Sequence, residues 1–221
     1  MTQYGRTVAE GMQHRRPGHQ KKSRLLSLLA LVAILSVPLA VQAEDVPNTL
    51  CTGCHNEDGN SIAPEFPKLA GLDSAYITKQ ITDFKKYKRV SEIMGPMAAQ
   101  IPDADVPKLA AYFSKQKRTT GTSGVVIDAK LASLGQQIFD DGIVSSAVPA
   151  CSGCHGEKGE GTDLYPRLAG QHTVYVMTQL NNFKNIVRNN DAKKVMRAIA
   201  SRMTDQEMKA AAEYITSLKG E

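Results

Sequence analysis

The chain has no tryptophan and only 5% aromatic residues among its 221 positions. It therefore offers few large flat side chains with which to fill a core. Cysteine is scarce as well. There are four, all confined to two short runs, so none remains for a structural disulfide or a free nucleophile. No stretch of useful length alternates apolar and polar residues, which argues against strands and for an all-α chain. The apolar run from Leu25 to Leu39 is short of the roughly 20 residues that span a bilayer. A net charge is also missing from most of the molecule. Residues 1–43 hold six basic side chains and one acid, which accounts for the whole +5, and the remainder carries 21 Lys+Arg against 21 Asp+Glu. The high isoelectric point is thus no argument for a nucleic-acid partner.

What is present begins with the cysteines. Cys51–Thr52–Gly53–Cys54–His55 returns as Cys151–Ser152–Gly153–Cys154–His155. A C-x-x-C-H run is the attachment signature of a c-type haem: two thiols one helical turn apart can each add across one vinyl group, and the adjoining imidazole becomes a proximal iron ligand. A zinc ribbon would want its second pair about 15–20 residues on, whereas 96 residues lie between Cys54 and Cys151. A thioredoxin-type pair would want a βαβ context that is not visible. Two covalent haem c groups are expected, and their porphyrins would supply the apolar surface that the aromatic-poor composition lacks.

The first 43 residues read as a leader. Arg15, Arg16, Lys21, Lys22 and Arg24 precede the apolar run, which closes at Val41–Gln42–Ala43, the pattern of a cleaved secretory signal. Its basic region is long, and Met12 is an alternative start. Retention as a membrane anchor is the other reading of the segment. Export to the periplasm is expected.

Beyond Ala43 the chain is one unit used twice. Pro67–Lys68–Leu69–Ala70–Gly71 returns as Pro166–Arg167–Leu168–Ala169–Gly170, and Tyr76, Gln80 and Phe84 as Tyr175, Gln179 and Phe183. After a three-residue insertion Met94 falls on Met196 and Tyr112 on Tyr214. The expected domains are 44–117 and 125–221, joined by a small polar linker at 118–124. Helix-face spacing over Tyr76–Phe84 and Tyr175–Phe183 predicts one helix in each. Thr204–Asp–Gln–Glu207 predicts a capping box at the last helix, and Asp103 the N-cap of its counterpart. A helix over 128–139 precedes the second motif, and the first unit has room for only a much shorter one.

A sixth iron ligand decides between carrier and catalyst. Met94 and Met97 are candidates in the first unit. The repeat places Met94 on Met196 but Met97 on Ile199, while Met203 falls on Ile101, so Met94 and Met196 are the expected axial pair opposite His55 and His155. A thioether opposite imidazole raises the reduction potential. His172 has no histidine counterpart, Leu72 being read in its place, and is expected at the surface. Lys85, Lys86, Lys88 and Arg89 form a basic run read as a solvated helix end, with electrostatic steering of an acidic partner as the alternative.

These residues together resemble the dihaem cytochromes of the cytochrome c4 family. The carriers of the likeness are the two C-x-x-C-H runs, the P-x-L-A-G stretches followed by Tyr-x3-Gln-x3-Phe, the Met-x3-Ala segments, Pro149–Ala150 and Gln171, over about 44–219. The resemblance implies two tandem class I cytochrome c domains as a pseudo-symmetric pair. In each, a proline carbonyl would hold the axial histidine, Pro67 and Pro166 being candidates and Pro64 an alternative. It implies an electron carrier rather than an enzyme, with membrane respiratory complexes and a terminal oxidase as partners. The first unit departs in its short start and in Pro96 beside the proposed ligand. In its short start, and in Ser91–Glu92–Ile93–Met94–Gly95, it is similar to the cytochrome subunit of a flavocytochrome c sulfide dehydrogenase. A haem subunit of a sulfur-compound dehydrogenase is therefore the second functional reading. A dihaem peroxidase, the third, needs a displaceable ligand, which a methionine in each unit opposes.

Overall fold

The computed structural model describes residues 49–120, 128–162 and 164–219. The leader, the stretch ahead of Thr49 and positions 121–124 of the linker lie outside them. The described residues are helical and contain no strand, only an isolated bridge between Ile143 and Val148. None of their helices is long and apolar enough to cross a membrane.

In the first half α1 spans Thr49–His55, α2 Ser74–Lys85, α3 Met94–Ala99 and α4 Val106–Ser114. The second half has α5 over Ala129–Asp141, α6 over Ser152–His155, α7 over Thr173–Lys184, α8 over Val195–Ala200 and α9 over Asp205–Ser217. Helix α2 starts where Asp73 accepts from the amides of Ala75 and Tyr76, and α5 where Asp128 does the same for Lys130 and Leu131. The capping box of α9 is complete: Thr204 Oγ1 accepts from Glu207 N, and Glu207 Oε2 from Thr204 N.

The expected cap at Asp103 is not formed. Helix α4 begins three residues later, with Asp105 ahead of it and no side-chain cap bond. Asp103 instead pairs with Lys85, whose Nζ also donates to Ile101 O. Lys184 does the same in the second half, donating to Met203 O at 2.9 Å and Asp205 Oδ1 at 3.0 Å. An ammonium at the end of one helix thus ties down the start of the last one, where free carboxylates and carbonyls await a donor.

Two cores result. In the first half Leu72, Ile77, Ala110 and Phe113 form one cluster, and Ile101, Val106 and Leu109 another. The second half has a larger one around Ile138, Phe139, Val176, Leu180, Met208 and Ile215. Its extra mass comes from α5, which lies along α9. Gly135 permits that approach, since a Cβ there would stand 2.0 Å from Ala210 O.

The halves are joined by buried polar groups. Arg118, placed by sequence in a small polar linker, is 6% exposed. It donates to Ala70 O (2.7 Å), Lys68 O (3.0 Å) and Ala169 O (3.3 Å), binding both P-x-L-A-G loops. Burial pulls its pKa down to about 9, so it is still a cation at neutral pH.

Candidate haem centres

Each P-x-L-A-G loop is built to present a carbonyl. In the first half the amides of Leu69 and Ala70 both donate to Gly59 O, at 2.7 and 3.1 Å, and Gly71 N donates to Phe113 O at the end of α4. In the second half Leu168 and Ala169 donate to Gly159 O, and Gly170 to Ile215 O. Gly59 has φ +72°, and a Cβ there would meet Ala70 N at 2.8 Å, so a side chain would push the loops apart.

The outcome is the same geometry twice. His55 Nδ1 donates to Pro67 O at 2.8 Å, and His155 Nδ1 to Pro166 O at 2.8 Å. A carbonyl can only accept, so Nδ1 carries the proton and Nε2 is the ring's free base. Nε2 has no hydrogen-bond partner among the described residues, and both imidazoles line one hollow of about 960 Å³. Burial lowers the pKa of each, against a smaller upward pull from the proline carbonyl, which keeps the rings neutral and able to ligate. Phe66 meets the His55 ring edge-on at 6.3 Å, and Tyr165 lies 5.7 Å from the His155 ring.

The four cysteines line the same hollow, unpaired and half-buried. Burial raises the Cys51 thiol and pushes Cys151 up to about 11. Met94, at the start of α3, and Met196, in the first turn of α8, are half-buried on its wall. Met97 and Met203 border it too, Met203 packed into the second core. A porphyrin fits this donor set: a largely apolar hollow, paired thiols, and imidazoles whose outer nitrogen is already held.

The hollow has a polar wall that the sequence reading did not find. Arg89 donates to Gln80 Oε1 (2.8 Å), Tyr175 OH (3.1 Å) and Gln179 Oε1 (2.8 Å). Arg188 mirrors it, donating to Gln179 Oε1 (2.8 Å), Tyr76 OH (3.0 Å) and Gln80 Oε1 (3.2 Å). Each guanidinium also lies over a phenylalanine of its own half, 4.6 Å from the Phe84 centroid and 4.5 Å from that of Phe183. Neither is in an ion pair among the described residues, and both are 8% exposed. Burying such charges is costly; Asp191 offsets part of that cost at Arg188, and porphyrin carboxylates are anions of the right kind for the rest of this wall. Burial alone would raise the Tyr76 phenol, but Arg188 and Arg89 outweigh it and hold the group below its ordinary value. The solvated basic run of the sequence reading therefore shrinks to Lys86 and Lys88. The available signal was the repeat: Arg89 and Arg188 stand at the same offset as Pro67 and Pro166.

His172 also departs from expectation. It is 1% exposed, not a surface residue. Its Nε2 donates to Ser61 O at 2.9 Å, with Ser61 Oγ at 3.0 Å. Both it and Asp73 directly precede the helices α7 and α2, so Asp73 is its counterpart, and Leu72 is that of Gln171.

The cytochrome c family profile matches residues 42–117 and 132–219. A cytochrome c4 of Thiocapsa roseopersicina is 42% identical over 174 residues, covering 77% of this chain and 88% of the relative. The chain belongs to the cytochrome c4 family. The crystal structure of reduced recombinant cytochrome c4 from Pseudomonas stutzeri superposes with a TM-score of 0.72 at 37% identity, covering 77% of this chain and 94% of that one. A thiosulfate dehydrogenase electron acceptor of Stutzerimonas stutzeri (strain A1501) is 34% identical over 178 residues, covering 76% of this chain and 78% of the relative. As a cytochrome c4 family member the chain is a tandem all-α electron carrier. It carries two covalently bound haem c groups, with which its two C-x-x-C-H motifs, at Cys51/Cys54 and Cys151/Cys154, are consistent.

Proposed function

We propose that this cytochrome is a periplasmic one-electron carrier between respiratory donors and a terminal oxidase or similar acceptor, with His55 and Met94 as the axial ligands of the first iron and His155 and Met196 of the second. The observation that supports it most is the pair of histidines whose Nδ1 is fixed by Pro67 or Pro166 while Nε2 faces a hollow that a methionine also borders. Haem supplies the one-electron exchange at iron. The chain's own residues fix the ligand orientation through the Pro67 and Pro166 carbonyls, so that little rearranges when the charge on iron changes. We place the domains at 44–117 and 125–221, with cleavage after Ala43.

The test is a redox titration of the purified holoprotein together with its intact mass. Two covalent haems, a mature chain starting at Glu44 and two high-potential transitions are expected; a single haem, or low potentials typical of bis-histidine iron, would sink the ligand assignment. The likeness to a thiosulfate dehydrogenase electron acceptor favours a second reading, in which the donor is a sulfur-compound dehydrogenase. Rapid reduction by such an enzyme, with slow reduction by a quinol-oxidising complex, would select it.

A further inference from the structure

The peptide bond that holds His55 is gripped from the other half of the molecule. Pro67 O accepts from His55 Nδ1, and the N–H of that same peptide unit, on Lys68, donates to Gln171 Oε1 at 2.8 Å. Gln171 Nε2 donates in turn to Lys68 O at 3.0 Å. One carboxamide thus closes on both polar groups of Lys68. His172 pins the far end of the loop, since its Nε2–H donates to Ser61 O while Ser61 Oγ donates to Phe66 O at 2.7 Å. Gln171, His172, Ser61 and Lys68 are all at most 4% exposed.

The pseudo-symmetry is broken at this point. Leu72, which has no hydrogen-bonding side chain, stands where the second half has Gln171. Asp73 stands where it has His172, and its carboxylate is spent on capping α2. The second half can therefore reach the first histidine's support by a device that the first half cannot return.

We propose that Gln171 is a positioning residue for the first haem, acting through the chain Gln171 Oε1···H–N Lys68–C=O Pro67···H–Nδ1 His55 and thereby lowering the reduction potential of the first haem. This rests on His55 being the proximal ligand. Hydrogen bonds in series polarise one another: accepting from the amide makes the carbonyl on the same peptide a better acceptor. A stronger Nδ1–H···O bond leaves more negative charge on the ring and a more basic Nε2. A more basic ligand favours oxidised iron. His172 holds the loop so that the donor and acceptor stay in line.

The experiment replaces Gln171 by Leu, the residue its counterpart already has, and by Glu, which keeps an acceptor for the Lys68 amide. Potentials are measured by redox titration of the holoprotein followed by haem-resolved NMR, with nitrogen-15 histidine labelling to observe the His55 ring. For Q171L the first haem's potential should shift upward, the second's should stay, and the Lys68 amide should lose protection from hydrogen exchange. Q171E should place the first potential at or below that of the parent. Unshifted potentials in Q171L, or equal shifts of both haems, would overturn the proposal. Absence of iron-induced shifts on His55 in the parent protein would instead overturn the ligand reading beneath it. Should Q171L not accumulate, Q171E alone decides, a rise of the first potential being the adverse result.

Discussion

A buried imidazole is neutral because its protonated form cannot be solvated, and His55, His155 and His172 are all held below their ordinary value of 6.5, chiefly by burial. The sign of the consequence follows from proton counting. As pH falls below 6.5 the unfolded chain binds protons that the folded chain refuses, so stability is full above that pH and declines beneath it. His172, which stands outside the proposed ligand set, isolates the effect. Urea unfolding of the holoprotein should show a smaller loss between about pH 7 and pH 5 for His172→Asn than for the parent, since an amide nitrogen can donate to Ser61 O without titrating; an unchanged loss would mean His172 takes no part. The methionines give a second residue-scale expectation. Met94→Ala and Met196→Ala should each remove about half of the weak far-red Met–iron absorption of the oxidised protein, while Met97→Ala leaves it intact. Loss of half of the band in Met97→Ala would move the first ligand by one helical turn.

At the scale of elements the two halves differ most in α5, and its crossing with α9 rests on one missing methyl. Gly135 approaches Ala210 O too closely for any side chain, and the atom it would meet is backbone that cannot rotate away. Gly135→Ala should cost about 3 kcal/mol in chemical denaturation, against a slight gain expected from helix propensity alone; a neutral result would show that α5 slides freely on α9. Thr204→Ala, which removes the capping box of α9, should cost about 1 kcal/mol. These helices were legible in the sequence because their signals are local: the spacing over Tyr76–Phe84, the Thr204–Glu207 box and the C-x-x-C-H runs each lie within a few residues. Asp103 was misassigned for the same reason. Its nearest competitor for hydrogen bonding, Lys85, is 18 residues away, and no local rule weighs it.

Over the whole molecule, what escaped the sequence is what crosses between halves. Arg118, His172 and Arg89 are polar residues that a one-dimensional reading sends to the surface, and the fold buries all three. Only the repeat could have hinted otherwise, since Arg89 and Arg188 recur in register. Their arrangement sets two effects against each other. As like charges brought together they repel, so removing one should ease the other. As donors they share the carbonyls of Gln80 and Gln179, so each keeps those groups satisfied when the other is lost. The second effect should win in the holoprotein. In the double variant Gln179 Oε1 loses both its donors, at about 1–3 kcal/mol, while Gln80 Oε1 keeps only Asn190 Nδ2 at 3.0 Å; the repulsion is softened by both tyrosine hydroxyls and would be softened further by haem carboxylates. The double variant Arg89→Met/Arg188→Met should therefore lose more stability than the two single variants combined, by about 1 kcal/mol or more. Electron exchange between the haems should slow in the double variant more than in either single one, because the same bonds hold the halves in register. A double variant less damaged than the sum would mean that repulsion governs this wall and that the two halves are held together by Arg118 and Gln171 instead.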